Sequence, residues 1–500
     1  MKVMLINPPP LNYLESYDKP NYGHLGLAYV AASLEKNGFK HNEDLIFKDA
    51  KLERLKVNET LQCVKEYKPT VVGLSAYTFD VLYAGYLAKK IKELYPNICI
   101  VLGGVHASIL PIDTLKKIPE IDITMVGECE VTFPELLKRM DKGDKAFPGI
   151  GGVAWREDDK IVFESAFFKE KPLNIPAITR FQNMDDLPFP AWHMIPRAST
   201  YQIFTARGCP RTCVFCTSPY GRKFIREMSP DRVIAEMEWV IETFKPDYYR
   251  FADETFGYNG ERMNQILDIM IAKGFDKKTR FFGSMRADRM TFEILQKMKR
   301  ANFHTVEVGV ETGDPAILKK IKKGETMEET ERAVGWVKKA GLNVLCGFII
   351  GHPGETKETA KATIDLAIKL NPNIVAIGLM VPYPGTEIAE YARKGSHGYK
   401  LLSSDWSDYN KQYGNALELE TLSRKEMERI QALGYCNVYL KNWRILDFLK
   451  FIWTYRKAGW RFLNKQLFAS IKSKGKTQVD VKLALGEDSG DKFRYLNYRT

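Results

Sequence analysis

The sequence predicts an α/β protein built on two successive parallel sheets: a doubly wound sheet over residues 1–145 and a partial (β/α)6 barrel of the TIM type over 201–395. Three observations carry this. Short apolar runs alternate with helical spacings in both stretches, and strands apolar at every position belong to parallel sheets covered on both faces. A proline-rich connector with Pro172, Pro176, Pro188, Pro190 and Pro196 separates the two, giving a hairpin-and-linker segment at 146–200. Beyond 396 the pattern becomes basic and aromatic at helical spacing, which reads as a helical C-terminal cap over 396–500.

In order, Val3-Met-Leu-Ile is a strand running into the loop Asn7-Pro8-Pro9-Pro10, and Leu25–Lys36 is a helix. Val71-Val-Gly-Leu is a strand followed by a helix through Leu94. Ile98-Cys-Ile-Val-Leu ends at Gly103-Gly104, and Ile121-Asp-Ile-Thr-Met-Val ends at Gly127-Glu128. Turns after strand ends matter because ligands of such sheets bind beyond the carboxyl ends. A hairpin is expected around Glu157-Asp158. Barrel strands are read at 201–206, 248–253, 280–285, 304–310, 343–350 and 374–381, with helices at 231–244, 261–273, 292–301, 328–340 and 358–370. Functional residues of β/α barrels sit at strand carboxyl ends.

The 500 residues leave room for two to four folding units at roughly 100–200 residues each. A net charge of +12 favours an anionic partner. No helix-turn-helix, zinc-finger or RNA-binding signature is present, which argues against nucleic acid. The first residues read as a strand rather than a signal peptide, and no long uncharged apolar run is present. The eight cysteines are Cys63, Cys99, Cys129, Cys209, Cys213, Cys216, Cys346 and Cys436. Three cluster and the rest scatter, unlike a secreted disulfide framework, so a reducing cytoplasm is expected.

The three clustered cysteines follow the first barrel strand in Ala206-Arg-Gly-Cys-Pro-Arg-Thr-Cys-Val-Phe-Cys. Thiolates packed in one loop suit an iron–sulfur cluster. Three protein ligands on a four-iron cubane leave one iron open. Structural zinc is the other metal reading, but it wants four closed ligands, and His193 across the linker is the nearest further donor.

The spacing C-x3-C-x2-C, with Phe215 before the last cysteine, resembles the radical S-adenosylmethionine superfamily. The resemblance implies that Cys209, Cys213 and Cys216 hold a 4Fe–4S cluster, that S-adenosylmethionine chelates the open iron, and that its reductive cleavage yields a 5′-deoxyadenosyl radical. Phe251-Ala-Asp253-Glu254-Thr-Phe, Ser284-Met-Arg286-Ala-Asp and Val306-Glu-Val-Gly-Val-Glu311-Thr-Gly close the second to fourth strands. By resemblance, Phe215, Asp253, Glu254, Arg286 and Glu311 contact S-adenosylmethionine. Arg286 is a fork for its carboxylate, although Asp253 or Arg286 serves equally well as half of a structural ion pair.

The first domain resembles the cobalamin-binding domain that precedes the barrel in one large class of these enzymes. The carrying residues are Asn7-Pro8-Pro-Pro, Gly73-Leu-Ser75-Ala-Tyr-Thr78, Gly103-Gly104-Val-His106-Ala-Ser108 and Gly127-Glu128-Cys-Glu. Pro8, Ser75, Thr78, Gly103, Gly104, His106, Gly127 and Glu128 are the expected cobalamin contacts. The D-x-H-x-x-G motif that supplies a lower histidine to cobalt is absent, and Cys129 replaces a usual glycine. His24 is expected to cap its helix and His106 to line the cofactor loop. A domain that has lost cobalamin and acts as a scaffold is the other reading. Cys63, Cys99 and Cys346 are expected in the core, with Cys436 also read as core.

The resemblance implies radical methyl transfer to an unactivated carbon, with cyclisation, rearrangement or oxidation as the second enzymatic reading and a non-catalytic cofactor-binding protein as a third. Implied partners are a small-molecule or lipid-like substrate and an external one-electron donor such as flavodoxin or ferredoxin. The stretch Leu440–Lys457 alternates apolar and cationic residues at helical spacing. Packing on the barrel with snorkelling cations is expected, and contact with a membrane surface is the other reading of the same pattern.

Overall fold

The computed structural model describes residues 1–10, 20–158, 160–164, 181, 183–217, 225–412 and 414–456. The first sheet contains β1 (Val3–Asn7), β2 (Leu45–Asp49), β3 (Val71–Ser75), β4 (Cys99–Gly103), β5 (Ile123–Met125), β6 (Val153–Glu157) and β7 (Lys160–Phe163) in the order β2-β1-β3-β4-β5-β6-β7. β1 to β5 are mutually parallel, and β1 and β3 are buried at every position because helices cover both faces. At the edge, β2 alternates buried and half-buried positions. His24 caps Leu25–Lys36, its Nδ1 accepting from Leu27 N at 3.1 Å.

The hairpin expected in the linker extends the first sheet instead. β6 pairs antiparallel with β5 and β7 with β6. β5 has only three residues, and its outer edge would otherwise expose unpaired backbone groups. The connector after it is packed rather than loose: Met184, Leu187 and Trp192 are buried, and Ala191 N donates to Ala28 O at 3.0 Å.

The second sheet is fully parallel. Its strands β8 (Thr200–Ile203), β11 (Tyr248–Phe251), β12 (Arg280–Ser284), β13 (Phe303–Glu311), β14 (Asn343–Ile350) and β15 (Ile374–Leu379) lie side by side in chain order. A small antiparallel pair, β9 (Ala206–Arg207) with β10 (Arg226–Glu227), follows β8. The helices between strands start at side-chain caps readable in the sequence. Ser229 accepts from Arg232 N with Pro230 in the first turn, and Thr326 with Glu329 forms a capping box. Phe251, Phe256, Phe281 and Phe303 stack in the core, with Phe251 and Phe256 centroids 4.2 Å apart.

The C-terminal region departs from an all-helical cap. β16 (Tyr399–Leu401) and β17 (Leu417–Leu419) form an antiparallel pair, each too short to show alternation. The helix Arg424–Leu440 then packs on the barrel so closely that a Cβ at Gly434 would lie 2.6 Å from Ile364 Cδ1. Ile445–Thr454 follows. Residues 457–500 lie outside the described residues.

Candidate active site

The cysteine loop leaves β8 through Thr205 and Ala206, and their backbone direction is set by Asp253. Its Oδ1 accepts from Thr205 N at 2.6 Å and Ala206 N at 3.2 Å, and its Oδ2 from the Thr205 hydroxyl at 2.5 Å. Burial pushes the Asp253 carboxyl up to about 7, against these hydrogen bonds. Both oxygens thus accept from the loop, and Asp253 anchors the cysteine turn. Glu254 acts next to it, its Oε2 accepting from Gly208 N at 3.2 Å. Gly208 has φ +112°, which a side chain would disfavour. Val214 plugs the loop into the core, donating to Ile321 O at 3.1 Å and accepting from Ile388 N at 3.2 Å.

All three thiols are half-buried. Among the described residues, no three His, Cys, Asp or Glu side chains stand close enough to share one metal ion. Three thiols on one loop are the donor set of a cubane, in which each thiolate takes a different iron. His193 faces elsewhere, 3.0 Å from Glu35. Burial pushes the Cys213 thiol up to about 11, and the Lys323 cation opposes that shift. A nearby cation is what a thiolate ligand needs.

A charged wall faces the loop. Arg286 donates to Asp288 Oδ1 at 2.9 Å and Lys323 O at 2.9 Å, and its Nη2 lies 3.1 Å from Glu325. Lys323, almost wholly buried, lies 3.3 Å from Glu311 and 3.5 Å from Glu325. Arg286 is therefore paired within this wall, to Asp288 and Glu325. Glu311 sits at a β-bulge between β13 and β14 with φ +72°, a left-handed backbone that costs a non-glycine residue about 1–3 kcal/mol. His352 props it, its Nε2 3.3 Å from Glu311 O. Phe215 stands 6.0 Å from the His352 ring.

The segments that follow β4 and β5 reach the barrel, Ile109 beside Gly385 and Glu128 at Arg207. Tyr77, half-exposed after β3, stacks parallel on Phe79 with centroids 5.6 Å apart. A Cβ at Gly385, in the loop after β15, would lie 3.0 Å from Ile109. Gly104 has φ +92°, and a Cβ there would lie 2.7 Å from Ser75 Oγ. Gly127 also has positive φ. Ser108 ties two of the loops, donating to Gly104 O at 2.7 Å and accepting from Gly127 N at 3.0 Å. A flat aromatic pair beside side-chain-free backbone fits a broad macrocycle, and Pro8 closes the end of β1 nearby in sequence.

One first-domain expectation is corrected. His106 does not line the loop surface. It is fully buried, its Nδ1 3.1 Å from Thr78 Oγ1, its ring edge-on to Trp406 at 4.3 Å. Burial, then Lys117, lowers its pKa to about 3, so it underpins the loop as a neutral ring. Glu128 gives its carboxylate to Arg207 Nη1 at 3.0 Å and to Arg226. Arg207, Arg226 and His352 were missed because each gains meaning only from a partner distant in sequence; Lys323 was missed too, although it pairs with nearby Glu325 and stands just before a capping box.

This fold and site define a radical S-adenosylmethionine enzyme with a cobalamin-binding domain in front of its barrel. The chain belongs to the radical SAM superfamily: that family model matches residues 203–367, and a B12 binding domain matches residues 19–137. An uncharacterized methyltransferase of Pyrococcus horikoshii is 31% identical over 451 residues, covering 88% of this chain and 93% of that protein. An anaerobic magnesium-protoporphyrin IX monomethyl ester cyclase of Cereibacter sphaeroides is 26% identical over 397 residues, 77% of this chain and 62% of its own length. Among solved structures, the radical S-adenosylmethionine methyltransferase TsrM of Kitasatospora setae, with cobalamin and a 4Fe–4S cluster bound, superposes with a TM-score of 0.66 at 19% identity. That match covers 88% of this chain and 89% of that one and speaks to the fold. Among the described residues no helix is long and apolar enough to cross a membrane.

Proposed function

We propose that the chain methylates an unactivated carbon of a small-molecule or lipid-like substrate. When bound, the cluster and S-adenosylmethionine supply a carbon-centred radical and cobalamin supplies the methyl group. Cys209, Cys213 and Cys216 hold the cluster. Glu254 and Asp253 set its loop, while Phe215, Glu311, Arg286 and Lys323 form the wall that receives S-adenosylmethionine. Ser75, Thr78, Gly103, Gly104 and Gly127 shape the cobalamin face, with Pro8 at its margin. The observation that carries the reading is the approach of the two sheets' carboxyl ends around one thiol loop. Such closure excludes water from a radical.

The test is anaerobic reconstitution with iron, sulfide and cobalamin, a chemical reductant, and S-adenosylmethionine labelled in its methyl group. Extracts from cells with and without the protein serve as substrate. We expect 5′-deoxyadenosine together with label in one new product. Deoxyadenosine with an unlabelled product would favour cyclisation or oxidation, and no deoxyadenosine at all would leave only a binding protein. In the cell, a flavodoxin or ferredoxin supplies the electron.

The same reading includes peripheral contact with an anionic lipid surface through Ile445–Thr454. Phe448 and Phe451 pack inward near Tyr439 and Tyr435, as the packed reading expects. Among the described residues the outward face is exposed: Trp443, Leu446, Leu449 and Trp453 are 86%, 75%, 55% and 70% exposed. Lys441, Lys450 and Arg456 flank it, which complements lipid phosphates and opposes a second copy. Co-sedimentation with phosphatidylglycerol vesicles, lost in Leu446→Glu/Trp453→Glu and weakened by salt, is expected. Equal binding of parent and variant, or none by either, would remove the idea.

A further inference from the structure

We infer that Arg207 is a positioning residue that fixes the cobalamin-domain loop Gly127–Glu130 to the cysteine loop, and so sets the placement of the two cofactors relative to each other. The inference rests on the reading that both cofactors are carried by this chain.

Arg207 lies two residues before Cys209. Its Nη1 is 3.0 Å from Glu128 Oε2 and its Nη2 is 2.8 Å from Glu130 Oε1. One planar guanidinium thus holds both acidic residues around Cys129, at the N-terminal end of the helix Cys129–Asp141 that follows β5. Arg226 faces Arg207 directly across the β9–β10 ladder. Two cations opposed in a ladder repel, and Glu128 bonds to both, which neutralises that repulsion. The plane of Arg207 is fixed as well: it lies over Tyr29 at 5.2 Å and Phe204 at 5.5 Å. Tyr29 in turn reaches Glu236 on a barrel helix at 3.2 Å.

The four charged side chains are all buried to a similar depth, the most exposed at 11%. Burial alone works against the Arg207 charge, but Glu130 and Glu128 hold its pKa above the ordinary value. Buried ion pairs add little net stability over an apolar replacement, whereas loss of one partner is costly. Their contribution here is geometric. A pair of parallel N–H donors, held by two aromatic rings, admits one orientation between the loops. Lysine does not reproduce it, because an ammonium meets carboxylates as a point charge on a flexible stem, without the fixed planar fork or the stacking on two rings.

The experiment uses the full chain in two states. In the metal-free protein, Arg207→Lys and Arg207→Gln should speed amide hydrogen exchange at residues 127–131 and 206–209 at least tenfold, with little change in the core strands β1 and β13. In the loaded protein, iron, sulfide and cobalamin content should match the parent. The dipolar coupling between the reduced cluster and cob(II)alamin should spread to a broader distance distribution, and deoxyadenosine formed per methyl transferred should rise several-fold. Glu130→Gln should act in the same direction and carries the test where an Arg207 variant fails to fold. The exchange pair Arg207→Glu/Glu130→Arg should recover part of the narrow distribution. Parent-like exchange and a parent-like distance distribution in Arg207→Lys and Glu130→Gln would overturn the inference. Absence of cobalamin from the parent would instead defeat the functional reading, with the exchange result still standing for the loop contact.

Discussion

Replacing Asp253 separates two roles that share a sequence position. The carboxylate takes three donors from Thr205 and Ala206, all buried. In Asp253→Ala these donors lose their acceptor. At about 1–3 kcal/mol for each unsatisfied buried group, partly relieved by water, the local cost is about 3–5 kcal/mol. Asp253→Asn keeps one oxygen for both backbone amides, and the Thr205 hydroxyl can turn to accept from the new amide, so its cost stays within about 2 kcal/mol. Since about 1.4 kcal/mol is a factor of ten, exchange of the Thr205 and Ala206 amides in metal-free protein should accelerate more than a hundredfold in the alanine variant and less than thirtyfold in the asparagine variant. Iron loading should fall in the same order. If instead Asp253→Ala exchanges within tenfold of the parent, takes up full iron, and loses only S-adenosylmethionine binding, then the residue contacts cofactor and the anchoring argument is wrong.

Two further perturbations follow from the same geometry. Glu236 is pushed up to about 7 by burial, against the nearby Arg232 cation. Between its ordinary value and about 7 the folded state holds a proton that the unfolded chain has lost, so this group's stabilisation is present at low pH and declines as pH rises through that window. Glu236→Gln removes the decline, and the slope of stability against pH between 5 and 6.5 should become more positive by about 1.4 kcal/mol per pH unit; an unchanged slope in urea titrations would contradict the burial assignment. At the end of β4, Gly104→Ala meets Ser75 Oγ at 2.7 Å and Ala76 O at 2.8 Å with φ +92°, and should cost about 2–5 kcal/mol and lower cobalamin uptake. Gly103→Ala, with nothing nearer than 3.9 Å, should be nearly neutral in thermal unfolding, and equal losses in the two would refute the steric account.

What the sequence made legible follows from how locally each feature is encoded. Continuous apolar runs such as Val3–Ile6 and Val71–Leu74 read as central parallel strands because burial on both faces leaves no polar position. β2 escaped the same reading since, at the sheet edge, its Lys48 faces half outward. The thiol loop was legible because the three ligands lie within one turn of chain. The roles of Asp253, Arg286 and Glu128 were not, because a carboxylate or guanidinium at a strand end looks the same whether it meets a ligand or a partner. Their partners Thr205, Glu325 and Arg207 lie 48, 39 and 79 residues away. His106 fell to the same limit: a histidine in a cofactor loop gives no sign that Trp406, 300 residues on, covers it.

A six-stranded parallel arc differs from a closed eight-stranded barrel in keeping two raw edges, and this chain seals both with segments from outside the barrel. On the β8 edge, Thr200 N donates to Asn21 O at 3.1 Å, and Gln202 Nε2 to Gly23 O at 3.3 Å. On the β15 edge, Ile377 N donates to the Tyr435 hydroxyl at 2.9 Å, Gln431 Nε2 donates to Ile377 O at 2.7 Å, and Leu379 N reaches Lys411 O at 3.0 Å. Unpaired strand edges are both a solvation cost and an invitation to aggregate. The arc is therefore stable only with the first domain and the helix Arg424–Leu440 in place. In return, an open arc gives a wider mouth than a closed barrel, and the first sheet's carboxyl ends can enter it. On the β8 side the sealing segment and the mouth are thus one device: Asn21 and Gly23, which satisfy that edge, also tie the first domain to the barrel whose Arg207 reaches Glu128 and Glu130.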